Sequence, residues 1–211
     1  MNTPNQDIRD KIILQALEDV AFEGWHWHIV EEAGVKAGYG EDMAFAVFPE
    51  KLEEALAHFS DWADRRMVQD LSTVDVKEMR VRDRIKTGVE TRFKILEPYK
   101  EAVRAANAYW IIPPRKVQAM KLLWKTADKI WIWAGDEATD YNHYTKRILL
   151  SGVMMATTMV WLNDKSVSHQ DTSSFLDRRI NNVLTVGKGA GKILGPVFKK
   201  FKFMNKERVE I

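Results

Sequence analysis

Fifteen consecutive residues without a charge, Ile148 to Leu162 (I-L-L-S-G-V-M-M-A-T-T-M-V-W-L), constrain this chain more than any other stretch. A helix that spans a bilayer needs about 20 apolar residues, so the run is read as a buried helix. Apolar all round, it requires neighbours on every side. The chain around it is predicted to supply them, because strand signals are almost absent and helical periods recur from end to end. Ile8, Ile12, Ile13, Leu17, Val20 and Ala21 form the stripe of a first helix that stops at Gly24. Two short helices follow, near 26–33 and 41–47. A long amphipathic helix runs from Pro49 to Gln69, and a charged helix covers 75–95, with Glu90 and Lys94 at i,i+4 spacing. Another helix starts at Pro98 and ends before Ile111-Ile112-Pro113-Pro114, since a residue before proline resists helical geometry. The helix after Pro114 carries Met120, Leu123, Trp124, Ala127, Ile130, Trp131 and Ala134 on one stripe.

At 211 residues and 45% hydrophobic content, the chain is long enough for one substantial core. It has no cysteine, which excludes disulfides and thiolate metal sites. The formal charge of +2 is nearly balanced, but its distribution is uneven. Residues 21–50 carry Glu23, Glu31, Glu32, Glu41, Asp42 and Glu50 against Lys36 alone, a net −5. In the same span, E-E-A-G-V and F-P-E-K resemble the helix-turn-helix of TetR-type repressors. A DNA reader needs lysine and arginine to neutralise phosphates. The segment is therefore read as a structural module that no longer grips DNA.

From Asp128 to Arg147 the sequence reads as a helix end, a break at Gly135-Asp136 and a new helix capped by Asp136 or Thr139. Asp140, His143, Tyr144 and Arg147 then share one side at i, i+3, i+4 and i+7. Such a face is ordinarily just solvated. The string W-x-W-A-G-D-x-x-T-D-Y-N-x-Y-T-K-R nevertheless resembles the characteristic motif of the accessory proteins of ubiquinone biosynthesis, ninth of the coenzyme Q series, whose fold is TetR-like. V-E-T-R-F-K-I-L-E-P-Y (89–99) and T-S-S-F-L-D-R-R-I-N-N (172–182) resemble two further blocks of that family, in the same order.

The resemblance implies an all-α, TetR-like helical bundle with a helix-turn-helix-like module at 1–48, a ligand-binding and dimerisation body at 49–186 and an amphipathic tail at 187–211. It implies a non-catalytic protein that binds a polyprenylated ubiquinone intermediate, with no other cofactor and no metal, and presents it to the di-iron hydroxylase of the pathway. Docking would centre on Asp140, Tyr144 and Arg147, with His143, Trp131 and Ile130 alongside. His143 stands where many relatives have tryptophan. Trp124 and the polarizable Met154, Met155 and Met159 are the candidate lining of the lipid site. Helices near 139–163 and 173–186 are the candidate dimer seam, the second capped with help from Asp177.

From Val186 to Ile211 seven cations face two carboxylates, a net +5. Ile193, Leu194, Val197, Phe198 and Phe201 fall on one side of a helical projection, flanked by Lys192, Lys199, Lys200 and Lys202. A basic amphipathic helix with aromatics is suited to an anionic bilayer interface. A basic tail in water or a helix packed on the body is the plainer reading, and nucleic acid a further one. The start, M-N-T-P-N-Q-D-I-R-D-K, has no apolar signal core and no Arg/Ser-rich transit composition, so a bacterial cytoplasmic protein peripheral to the inner membrane is the simplest expectation, with a processed organellar form as the alternative. There is no H-E-x-x-H, P-loop, G-x-G-x-x-G or G-x-S-x-G. Asp140-x-x-His143 alone cannot form a di-iron site, and His58 and His169 are isolated in sequence. The competing reading is a TetR-type repressor that responds to a lipid.

Overall fold

The computed structural model describes residues 4–183. Among them every regular element is helical, and no helix is long and apolar enough to cross a membrane. The expected tail helix lies outside the described residues. In order, α1 is Pro4–Glu23, α2 Trp27–Lys36, α3 Met43–Val47, α4 Lys51–Leu71, α5 Val81–Leu96, α6 Lys100–Trp110, α7 Lys116–Trp133 and α8 Tyr141–Asn163. A further helix, α9, covers 170–183. The charged helix expected from residue 75 starts six residues later, after a turn in which Met79 donates to the Val76 carbonyl.

Two compact units are distinguished: Met1–Val74 with Glu90–Thr126, and Asp75–Val89 with Ala127–Ile211. The expected boundary at residue 48 coincides with neither edge. The reason is visible in the first unit, where α1 packs not only on α2 and α3 but also on α4 and α6. Ile12, Ile13, Ala16, Leu17 and Val20 bury the α1 stripe. Trp25, just past the helix, is buried and donates its indole N–H to the Ala102 carbonyl at 2.9 Å. Its ring lies 5.6 Å from Phe59, in an aromatic cluster with Trp62 and Tyr99.

The buried side chains of Asp64, Thr126 and His58 in this unit are paired, as desolvation requires. Asp64 accepts from Arg92 Nε at 2.8 Å and Thr126 Oγ1 at 2.9 Å, while Arg92 also donates to Ser60. These contacts account for Arg92 in the 89–99 block, and the aromatic cluster for Tyr99. His58, isolated in sequence, is buried 2.7 Å from Asp10, which also accepts from Arg65 at 2.6 Å. Burial pushes the His58 imidazolium below its ordinary range despite the Asp10 carboxylate.

In the second unit, Gly88 on α5 lets Ile130 on α7 approach so closely that a Cβ would stand 2.8 Å from Ile130 Cγ2. Arg84 donates to the carbonyls of Val76, Met79 and Ala134 at 2.9–3.1 Å. Leu176 and Ile180 bury one side of α9. Asp177 is no cap: it accepts from Lys86 at 2.7 Å and from Arg82 at 3.4 Å. Asp164 prepares the start of α9 instead, bonding Ser166 and the backbone N and hydroxyl of Thr172 at 2.5–2.8 Å. Burial alone would raise its carboxyl, but those hydrogen bonds hold it far below the usual carboxylate range.

The uncharged run forms α8, although not as a helix covered on every side. Leu150, Val153, Met154, Trp161 and Leu162 are buried, together with Ser151 and Thr157. The two hydroxyls bond the carbonyls four residues back, Arg147 and Val153, at 2.8 and 2.7 Å, so they sit in the core without an orphaned donor. The opposite face is open.

Candidate functional surface

The turn between α7 and α8 is built by Gly135. At φ +87 it occupies the left-handed region that favours glycine. Its N–H bonds the Ile132 carbonyl at 3.0 Å, and Asp136 N bonds the Trp131 carbonyl at 2.9 Å, the paired pattern of a Schellman C-cap. The cap of α8 is Asp140 rather than Asp136 or Thr139: its carboxylate accepts from Asn142 N at 2.9 Å and Asn142 Nδ2 at 3.1 Å. This frees Asp136 for another contact.

Arg147 is the centre of that contact. Buried on α8, it donates from Nη1 to Asp136 at 2.8 Å and from Nε to Asp128 on α7 at 2.5 Å. Lys146 reaches Asp136 from the other side at 2.5 Å. Burial would raise the Asp136 carboxyl, but its bonds to Lys146 and Arg147 prevail and hold it below the usual carboxylate range. Trp131 is also buried and donates its indole N–H to the Lys146 carbonyl at 3.1 Å, with the Lys146 ammonium 5.3 Å from its ring centroid. Ion pairs and indole together fix α7 against α8.

The six residues expected to dock a partner therefore separate. Ile130, Trp131 and Arg147 are buried, and Asp140 is occupied as a cap. His143 is half-buried, its Nδ1 3.0 Å from the Ala138 carbonyl, so that nitrogen carries the proton as donor. Only Tyr144 is both exposed and aromatic, packed edge-on to His143 at 5.2 Å. The six do not share one exposed face: at 3.6 residues per turn the arc on α8 runs from His143 to Tyr144, its His143 side turns inward, and Arg147 lies between the two.

The candidate lipid-lining residues likewise separate by burial. Met154 is buried, but Met155 and Met159 face outward, and Trp124 is half-buried. At 3.6 residues per turn, Tyr144, Ile148, Gly152, Met155 and Met159 fall within about 80° of the circumference of α8. The four with large side chains are each 53–60% exposed, and nothing stands near the Cβ position of Gly152. This outward stripe was missed because the segment is apolar on both sides and periodicity cannot then tell core from contact face. Asp128 and Asp136 were missed as partners of Arg147, because no spacing rule links residues across a helix break.

Residues 117–187 match the family model described as COQ9. The chain is 31% identical over 195 residues to the rat protein named "Ubiquinone biosynthesis protein COQ9, mitochondrial", covering 89% of this chain and 62% of that one. The human protein of the same name is 29% identical, with 89% and 61% covered. The chain thus spans about three-fifths of the length of these relatives. The crystal structure of a TetR transcriptional regulator from Nitrosomonas europaea superposes with a TM-score of 0.67 at 17% identity, covering 84% of this chain and 98% of that one. That likeness shows the fold. The chain is thus similar to COQ9 proteins and has the fold of a TetR regulator, and the matched residues 117–187 include the α7–α8 turn and the outward stripe.

Proposed function

We propose that this protein acts in ubiquinone biosynthesis as a non-catalytic carrier that takes up a polyprenylated quinone intermediate and presents it to the pathway's di-iron hydroxylase. The observation that carries the reading is the outward apolar stripe of α8, which lies inside the segment matched to COQ9. A face of that kind on a soluble helix marks a contact surface. Tyr144 is the contact for the hydroxylase, and Ile148 to Met159 form the seam with a second copy of the chain. The basic tail, with Ile193, Phe198 and Phe201 among its apolar residues, holds the carrier at an anionic membrane surface. An isoprenoid tail needs such a carrier because each CH₂ withdrawn from water contributes about 0.8 kcal/mol.

The TetR fold alone would equally suit a repressor. The charge of 21–50 argues against that use, and so does α3, whose five residues are short for a recognition helix. Native mass spectrometry of gently purified protein tests the carrier reading: a bound polyprenyl quinone species is expected, and protein that is consistently empty overturns it. In a gel shift on upstream DNA at low salt no complex is expected, and a specific one would favour the repressor.

A further inference from the structure

Between Glu101 and Asp128 the chain has no carboxylate and five cations, Arg104, Arg115, Lys116, Lys121 and Lys125. Arg104 is paired with Glu101 at 3.1 Å. The other four run from the α6–α7 corner along α7, and at the corner apolar side chains stand out into solvent. Ile111 and Val117 are 68% and 66% exposed, and Ile112 and Met120 are exposed beside them. Pro113 and Pro114 occupy the turn, and Arg115 N–H closes it on the Ile112 carbonyl at 3.0 Å. The Arg115 guanidinium lies 3.8 Å from the centroid of the Tyr109 ring. The corner is thus held in shape before anything binds, which lowers the ordering cost of insertion. Along α7, Val117, Met120, Lys121 and Trp124 share one face, while Leu122 and Thr126 are buried on the other.

We infer that this corner is a bilayer contact of the helical body, separate from the C-terminal tail: Ile111, Ile112 and Val117 enter the interface of an anionic membrane, and Arg115, Lys116 and Lys121 meet its headgroups. Charge selects the occupant. A protruding apolar tip flanked by cations, in a stretch without a carboxylate between Glu101 and Asp128 although Glu53 on α4 acts electrostatically on Tyr109, complements a negative lipid surface, and the half-buried Trp124 is of the type that settles at headgroup depth.

Because the chain has no cysteine, single-site labelling of the full-length protein reads the contact directly. An environment-sensitive fluorophore on Ile112→Cys or Val117→Cys should shift to the blue and be quenched by a lipid-borne quencher on phosphatidylcholine–phosphatidylglycerol vesicles. The same label on Glu32→Cys should not respond. Ile111→Asp with Ile112→Asp should lower vesicle affinity about tenfold or more with an unchanged melting temperature, and Lys116→Gln and Lys121→Gln about fivefold each. Probes at 112 and 117 that stay wet on vesicles that have captured the protein overturn the inference and leave the tail reading standing. No binding to vesicles overturns both, and a blue shift produced only by an added protein without lipid assigns the corner to a protein partner instead.

Discussion

Arg147 illustrates how a single side chain can look like a contact and act as a strut. With Asp136 buried and Asp128 at 2.5 Å, removing the guanidinium strands a carboxylate in the interior. Arg147→Ala is therefore expected to lower stability by about 3–5 kcal/mol, read by urea titration. An unchanged midpoint would mean that the pair is not structural. Tyr144→Ala, by contrast, removes an exposed ring and should leave the melt unaltered while weakening capture of the hydroxylase; full capture would remove Tyr144 from the contact. Gly88→Ala inserts a methyl 2.8 Å from Ile130 Cγ2. Overpacking of that kind costs about 1–3 kcal/mol, so a melting temperature at or above that of the parent protein would show that α7 gives way freely.

At the scale of an element, α9 depends on one acid. Asp164 lies before the helix and collects four hydrogen bonds, two each from Ser166 and Thr172, with its own side chain fully buried. Asp164→Ala should cost about 2–4 kcal/mol, since bonds to a charged acceptor are worth more than neutral ones. Amide exchange over 170–183 should rise more than exchange over α1; uniform change would argue against a local role. In α8 the hydroxyls of Ser151 and Thr157 explain how a helix with polar residues can still bury one face. The opposite face made this helix hard to read, because exposed methionines and buried ones look alike in a linear string.

The pH response belongs to the whole molecule. His58 is held below its ordinary range in the folded state, so the neutral form is favoured there. Its contribution to stability is present above the unfolded value of about 6.5 and is lost as pH falls below it. Asp136 and Asp164 are likewise depressed, and their contribution is lost below the unfolded value of about 3.9. Acid destabilisation is expected in two steps, a first below about pH 6.5 and a second below about pH 4. Chemical denaturation of His58→Gln should lack the first step. A variant that retains it would place that step on another group.

Much of the molecule was legible in the linear chain. The 3.6-residue periods, the proline and glycine stops and the absence of strand patterns determined an all-helical protein, because each is a local property of backbone and side-chain spacing. Three ordered motifs pointed to its relatives. Only the tertiary structure decided which of those motif residues face inward, since Arg147 is turned to Asp128 and Asp136 by the packing of α7 on α8, and His58 to Asp10 by a contact 48 residues away. Burial is a property of neighbours distant in sequence. A motif can therefore mark a site without saying which of its side chains touches a partner.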